Sequence, residues 1–388
     1  MYHFPWTLTD NPGGWIEVTD ICNMKCPGCF RHTLSGHRSL QELKEEVIQL
    51  SHMTNCSRIS IAGGEPLLYP DILEMVAFIS GRKLKPIILS NGELLTEPLV
   101  KELRRAGLHQ FYFHVDSNQN RKDWQNGSEL NLNELRQHYA DLVNSSSRIK
   151  CGFLTTVTRS SLGSIPDVLD WFYKHPGKVI HMAFIAFRAI PIRPEYVYRV
   201  NGREIDPGIL PNTSRQTDQI DITTEDMYAV IRRRFPNLRP SAYLGGTGCK
   251  DSYKFLIINS IGSRQGLFGS VGARTIALQQ KFTHLLSSHY SDTVPRTGRE
   301  IFMLAPFDSK VRKALLEYIR RTFRHPGMLF QKVGVQSLVL QQPFEFINGN
   351  MNLCDGCINM MIHQGQLIHS CQLDEYRMMG GELSISLN

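Results

Sequence analysis

The 388-residue chain is 41% hydrophobic and 20% charged, and 43 basic against 36 acidic side chains leave a formal net charge of +7. With a mean hydropathy of -0.23, this is the composition of a globular protein able to bury a large core, as one big domain or two ordinary ones. It excludes a bilayer-spanning run of about eighteen apolar residues and argues against a nucleic-acid partner, because no basic run is interleaved with aromatics.

The opening stretch MYHFPWTLTD has no basic segment leading into an apolar one, so no secretory signal is expected and the cytoplasm is the expected compartment. From residue 15 to about 188, short apolar runs alternate with amphipathic stretches. WIEVTDI (15–21) reads as a strand. SLQELKEEVIQLSHM (39–53) reads as a helix with Ser39 as N-cap and Glu42 completing a capping box. RISIAGGEP (58–66), PIILSNG (86–92), FYFHVDS (111–117), CGFLTTVT (151–158) and VIHMAFIAF (179–187) supply five further strands. Helical patterns lie between them at 71–83, 98–107, 131–144 and 165–175, and Gly107 is the expected C-cap of the second of these.

Six strands separated by helices predict an α/β fold, a partial (β/α)6 barrel with a parallel sheet. Two further units, which an eight-unit barrel would need, do not follow. The expected organisation is an N-terminal extension (1–14), a core (15–190), a substrate or lid region (191–345) and a C-terminal motif (346–388) in a mixed α+β region. One helix of the third segment, SKVRKALLEYIRRTFRHPG, reads with Val311, Leu315, Leu316, Ile319 and Phe323 on one face. Lys310, Arg312, Lys313, Arg320, Arg321 and Arg324 fill the other, which suits either an anionic group or plain solvation.

Nine cysteines, an odd number, fit poorly with a secreted disulfide framework. Cys56 and Cys151 read as ordinary buried thiols. Six others form two groups, Cys22/Cys26/Cys29 and Cys354/Cys357/Cys371. Ligands of parallel α/β sheets bind beyond the C-terminal ends of the strands, and the first group lies there with GGEP, SNG and Asp116–Ser117. Three thiolates on one loop suit three irons of a 4Fe–4S cubane, leaving the fourth iron open. Zinc is the competing metal and would need a fourth ligand, for which His32 and His37 are near.

Cys22-x3-Cys26-x2-Cys29 after a first strand, with GGEP after the second, resembles the radical S-adenosylmethionine (radical SAM) superfamily over residues 15–190. The resemblance implies a 4Fe–4S cluster on these three cysteines and S-adenosylmethionine bound at its open iron. Reductive cleavage of that molecule would give a 5′-deoxyadenosyl radical able to take hydrogen from an unactivated C–H bond. By position, Gly63, Gly64, Glu65 and Pro66 would meet the methionine ammonium, and Ser90 and Asn91 its carboxylate or the ribose. Asp116 and Ser117 are further polar contacts, Ile185 and Ala186 would lie by the adenine, and Arg188 would meet a carboxylate. The family usually has an aromatic residue before the third cysteine; here it is Gly28, with Phe30 just after.

Cys354-x2-Cys357-x13-Cys371, with Gly365 at the turn of a hairpin, looks like the twitch-type auxiliary cluster of some radical SAM enzymes. Its spacing is similar to that of the GTP 3′,8-cyclase family. That family's arginines between the second and third cysteines are absent here, and Gly380 and Gly381 are followed by seven residues. A second 4Fe–4S cluster is therefore expected, but not that substrate. Cys249 is the expected fourth ligand, ahead of His363, His369 and Asp374, and a zinc knuckle is the alternative.

The reaction expected is oxidation, cyclisation or substrate ligation in a biosynthetic pathway. It would act on a small-molecule or lipid-like substrate, with an external one-electron donor of the flavodoxin or ferredoxin type. Radical carbon–carbon coupling of a lipid-like or anionic substrate is the alternative reaction, and a non-catalytic zinc or iron–sulfur protein the alternative class. Tyr112, His114 and Tyr253 are the polar side chains that suit hydrogen transfer, and none is a positioned base.

Overall fold

The computed structural model describes residues 1–387 except 28, 30, 32–35, 120, 125–126, 146–148, 188, 211–212, 215–220 and 292–297. Six strands carry the first half: β1 (Gly13–Thr19), β2 (Arg58–Gly63), β3 (Lys85–Ser90), β4 (Gln110–His114), β5 (Lys150–Val157) and β6 (His181–Ala186). They lie side by side in chain order and every adjacent pair is parallel. Between them run α1 (Leu40–Met53), α2 (Ile72–Gly81), α3 (Glu97–Ala106), α4 (Leu132–Asn144) and α5 (Ile165–Tyr173). Parallel pairing needs such crossovers, and each helix turns an apolar stripe onto the sheet. Ile16, Ile61, Phe111 and Phe153 from the strands pack with Leu43, Val76, Leu103 and Phe172 from the helices in one buried core. Cys56 and Cys151 are buried in it, neither in a disulfide.

Local signals for the helix ends hold at some positions and fail at others. In α3 the Thr96 hydroxyl accepts from the Leu99 N–H, Arg104 and Arg105 occupy the last turn, and Gly107 closes the helix at φ 99°. The expected capping box at α1 does not form, since Ser39 makes no side-chain cap bond. That helix is held by burial of Leu43, Val47 and Leu50 instead. The reciprocal box appears in α6 (Thr224–Arg234), between Thr223 and Asp226.

The sheet continues past β6 into sequence where the alternation stops. β7 (Ala242–Leu244), β8 (Phe255–Ser263), β9 (Gly266–Ser270) and β10 (Gly334–Gln341) extend it, with β10 parallel to β6 and antiparallel to β8. At the opposite edge, β11 (Met360–His363) joins β1 in parallel at Met360 and Gly14, then folds back as β12 (Gln366–His369). The turn is Gln364 and Gly365, both with positive φ (49° and 77°), which matches the twist of a two-residue hairpin. The two edges meet. Gly246 bridges Cys354, and the Thr247 N–H donates to the Leu353 carbonyl at 2.8 Å.

Two more helices, α7 (Ala273–Ser287) and α8 (Ser309–Arg324), follow β9. The buried face of α8 is Val311, Ala314 and Tyr318, whereas Leu316, Ile319 and Phe323 are exposed, which corrects the apolar face read from sequence. Apolar residues ring more of this helix than one stripe, so packing had to choose. A Cβ on Gly269 would lie 3.0 Å from that of Ala314, and this small-on-small contact, with Tyr318 edge-on to Phe268 at 5.3 Å, selects the face.

Candidate functional site

Four chemically distinctive stretches follow the C-terminal ends of β1 to β4, and the backbone locks the first two together. The Gly64 N–H donates to the Thr19 carbonyl at 2.7 Å and the Glu65 N–H to the Ile21 carbonyl at 2.8 Å. Gly63 sits at φ 131°, and a Cβ there would stand 2.2 Å from the Thr19 oxygen; one on Gly64 would stand 2.3 Å from that of Ile21. Both glycines are therefore required so that the second loop can lie against the chain entering the cysteines.

Glu65 ties in the third stretch. Its carboxylate is almost fully buried and accepts from the Ser90 hydroxyl (2.8 Å), the Asn91 N–H (2.7 Å) and the Leu67 N–H (2.9 Å). Burial pushes its pKa up, opposed by the three donated bonds. Pro66 follows as the start of a 3-10 turn. Asn91 reaches back to the cysteine loop, donating from Nδ2 to the Asn23 side chain at 2.8 Å.

In the fourth stretch, Asp116 accepts from His114 Nε2 (2.8 Å), the Thr156 N–H (3.1 Å) and the Asn118 N–H (2.8 Å). Burial alone would raise its pKa; the His114 charge and these bonds hold it below the ordinary range. The Ser117 N–H is held by Glu129 at 2.6 Å, and Glu129 is clamped by the fully buried Arg136 at 2.5 Å. Ile185, half-buried, and Ala186, buried, lie on β6 beside Thr156 and Val157. Tyr112 packs edge-on to His181, and the Tyr253 carbonyl accepts from Thr224. Arg188, His32, Gly28 and Phe30 lie outside the described residues.

Cys22 and Cys26 are part-buried and Cys29 is exposed. Burial first, then the neighbouring Cys29, Asp116 and Cys22, pushes the Cys26 thiol up to about 12. Burial also raises Cys22, with Glu65 and Cys29 adding to it. Soft thiolates on one rim are the donor set that iron–sulfur clusters and zinc take. Among the described residues no three His, Cys, Asp or Glu side chains are gathered to hold a single metal ion. His37, offered as a zinc ligand, is bonded through Nδ1 to the Thr19 hydroxyl.

In the second group two of the three thiols are paired. Cys354 and Cys357 are hydrogen-bonded thiols, and this bond raises Cys354, with Cys371 raising it further, while it lowers Cys357. The Asn359 N–H adds a bond to the Cys357 sulfur. Cys249 lies in the loop bonded to residues 352–355, its N–H donating to Asn352 Oδ1 at 3.3 Å, and is exposed. His369 bonds the Cys354 carbonyl, Asp374 faces Arg31, and His363 lies against the Tyr376 ring.

Three buried arginines position the rim and were not singled out in the sequence. Arg121 donates from Nη2 to the carbonyls of Asn91 and His114, both at 2.7 Å, and from Nη1 to Glu93. Arg136 donates to the Val115 carbonyl. Arg31, two residues after Cys29, pairs with Glu17 at 2.5 Å and donates to the Ser370 carbonyl. The one signal available was Glu17, an acidic residue inside an otherwise apolar strand, which demands a buried cation.

Residues 16–162 match the Radical SAM superfamily model. The matched span takes in most of β1, all of β2 to β5 and all four rim stretches. The chain is 30% identical over 105 residues to the probable GTP 3′,8-cyclase of Methanocaldococcus jannaschii, covering 26% of this chain and 35% of that one. To the AdoMet-dependent heme synthase of Methanosarcina barkeri it is 30% identical over 104 residues, covering 26% and 30%. The chain spans about a third of the length of these curated relatives. Among solved structures, SuiB of Streptococcus suis bound to S-adenosylmethionine is 15% identical with a TM-score of 0.40, covering 58% of this chain and 47% of that one.

Proposed function

We propose that this protein is a radical SAM enzyme that takes hydrogen from an unactivated C–H bond of a small-molecule or lipid-like substrate in a cytoplasmic biosynthetic pathway. The observation that carries the reading is the Glu65 carboxylate. It fixes the loop after β2 to Ser90 and Asn91 after β3, while the backbone of that loop is bonded to the entrance of the cysteine loop. Three rim stretches therefore act as one rigid unit around Cys22, Cys26 and Cys29.

Those cysteines would hold a 4Fe–4S cluster, which when bound supplies the electron that cleaves S-adenosylmethionine into methionine and a 5′-deoxyadenosyl radical. The chain's own residues bind and orient. The loop of Gly63, Gly64, Glu65 and Pro66 would meet the methionine ammonium, and Ser90 and Asn91 would face its carboxylate or the ribose. Asp116 and Ser117 would add polar contacts, Ile185 and Ala186 would lie by the adenine, and Arg188 would meet a carboxylate. Cys354, Cys357 and Cys371, with Cys249 as fourth ligand, would hold a second 4Fe–4S cluster assisting oxidation, cyclisation or substrate ligation. Residues 15–190 would be the catalytic core, 191–345 the substrate region and 346–388 the auxiliary motif, served by a flavodoxin- or ferredoxin-type donor.

Anaerobic iron and sulfide analysis with electron paramagnetic resonance tests the reading on the wild type and a Cys22/Cys26/Cys29→Ala triple variant. About eight irons in the wild type and about four in the variant are expected, with a signal perturbed by S-adenosylmethionine only in the wild type. Four irons lost completely in the variant would remove the auxiliary cluster. Zinc throughout would overturn the proposal.

A further inference from the structure

Large apolar side chains stand in water around α8 in unusual number. Leu316, Ile319 and Phe323 project from the helix, and Phe307 precedes it while Leu329 and Phe330 follow it, all exposed, with Phe323 83% and Phe330 91% accessible. The flanking 3-10 segments Arg299–Leu304 and Pro326–Phe330 both pack on α8, and Arg299 donates to the Leu329 and Gln331 carbonyls, tying one segment to the other. Monomeric proteins seldom leave so many apolar chains together.

Charge on the same helix selects what covers them. α8 has six cationic residues and one acid, Glu317, a balance of +5 (6 − 1). Glu317 is consumed by Arg320 and Arg321. Arg312, Lys313 and Arg324 are exposed and make no ion pair among the described residues. Spacing of 3 and 4 aligns Leu316, Ile319 and Phe323 as one ridge, and Lys313, Arg320 and Arg324 run beside it. An outward apolar ridge edged by cations suits the headgroup–acyl boundary of an anionic bilayer. α7 starts from the same point: the buried Asp308 carboxylate caps α8 through the Lys310 N–H and accepts from Gly272 and Thr275 at the start of α7. That second helix contains no acidic residue and exposes Leu285 and Leu286 at its end.

We propose that α8 and its flanking segments dock the protein on an anionic lipid bilayer surface, with Leu316, Ile319 and Phe323 entering the boundary layer and Arg312, Lys313 and Arg324 meeting lipid phosphates. The inference does not depend on the radical SAM reading. The test is sedimentation of the full chain with phosphatidylcholine vesicles, pure or containing about a third phosphatidylglycerol. Wild type should pellet with the anionic vesicles, more weakly in high salt, and not with the neutral ones. A Leu316→Ser/Ile319→Ser/Phe323→Ser variant and an Arg312→Gln/Lys313→Gln/Arg324→Gln variant should each bind about tenfold more weakly, with unfolding midpoints unchanged because all six positions are exposed. Wild type failing to pellet with anionic vesicles overturns the proposal, as do both variants binding like wild type. A wild-type dimer in ultracentrifugation, dissolved by the apolar variant and indifferent to vesicles, would overturn it in favour of a second copy of the chain.

Discussion

The Arg31 guanidinium donates to the Ser370 carbonyl at 2.7 Å and so joins the two cysteine stretches across 339 positions of sequence. Ser370 immediately precedes Cys371, and Arg31 follows Cys29 by two residues. The same guanidinium pairs with Glu17, which is 1% exposed, while Arg377 stands near Glu17 and bonds Asp20. Breaking a buried pair from one side leaves an uncompensated charge, at about 3–5 kcal/mol. Arg31→Met should therefore lower the denaturant midpoint strongly, and a Glu17→Gln/Arg31→Met double variant should recover part of the loss. Equal stability of Arg31→Met and wild type would refute the coupling.

Gly64→Ala should disturb the cysteine loop without touching a cysteine. The added methyl would meet backbone, the Ile21 oxygen at 2.3 Å and its carbon at 2.6 Å, so the chain entering Cys22 must move. We expect reduced iron per chain after reconstitution, with near-native circular dichroism. Full iron content would show that the close approach is dispensable.

Glu65→Gln keeps shape and removes one acceptor. A carboxylate serves three donors here, whereas an amide turns one NH2 toward them. Losing a charge-assisted bond costs about 1.5–3 kcal/mol, so S-adenosylmethionine binding should weaken by roughly tenfold to a hundredfold in titration calorimetry. Unchanged affinity would place the Glu65 junction outside the binding determinants.

Glu345 offers a pH test in the polar cluster beside the second cysteine group. Its carboxylate accepts from Ser252, Gln342, Asn352 and the buried Lys254 Nζ at 3.0 Å. Burial would raise its pKa, but those bonds and the Lys254 charge bring it below the ordinary value. A depressed carboxylate contributes stability that is present above its unfolded pKa, near 4.3, and lost as pH falls through the lower folded value. Glu345→Gln should thus be less stable than wild type at pH 7, by about 1–2 kcal/mol, with the gap closing below about pH 4. A gap constant over pH 3–7 in thermal unfolding would contradict the assignment.

The six parallel strands and five helices of the first half were legible because each has an apolar period of its own and turn residues at its ends. Gly107 could be read as a C-cap, and Gly365 as a hairpin turn, from the φ those positions require. Ser39 could not, since a side-chain cap is worth little beside the burial of Leu43, Val47 and Leu50, and the helix start settles wherever packing puts it. The α8 face was misread for the same reason: the five apolar positions read as one face exceed one stripe, and the Ala314–Gly269 contact decided which side is buried.

By itself the sequence determined which residues are chemically special, since cysteine spacing, glycine pairs and strand ends are local properties of the chain. It also determined the order of β1 to β6, because short crossovers leave neighbouring parallel strands little choice. Only the tertiary structure decided that β10 and β8 extend the sheet past β6, that β11 closes onto β1, and that Arg31, Arg121 and Arg136 hold the rim. Those relations join residues far apart in sequence, and a buried guanidinium finds its partners by the geometry of the packed fold, which no local pattern of the chain encodes.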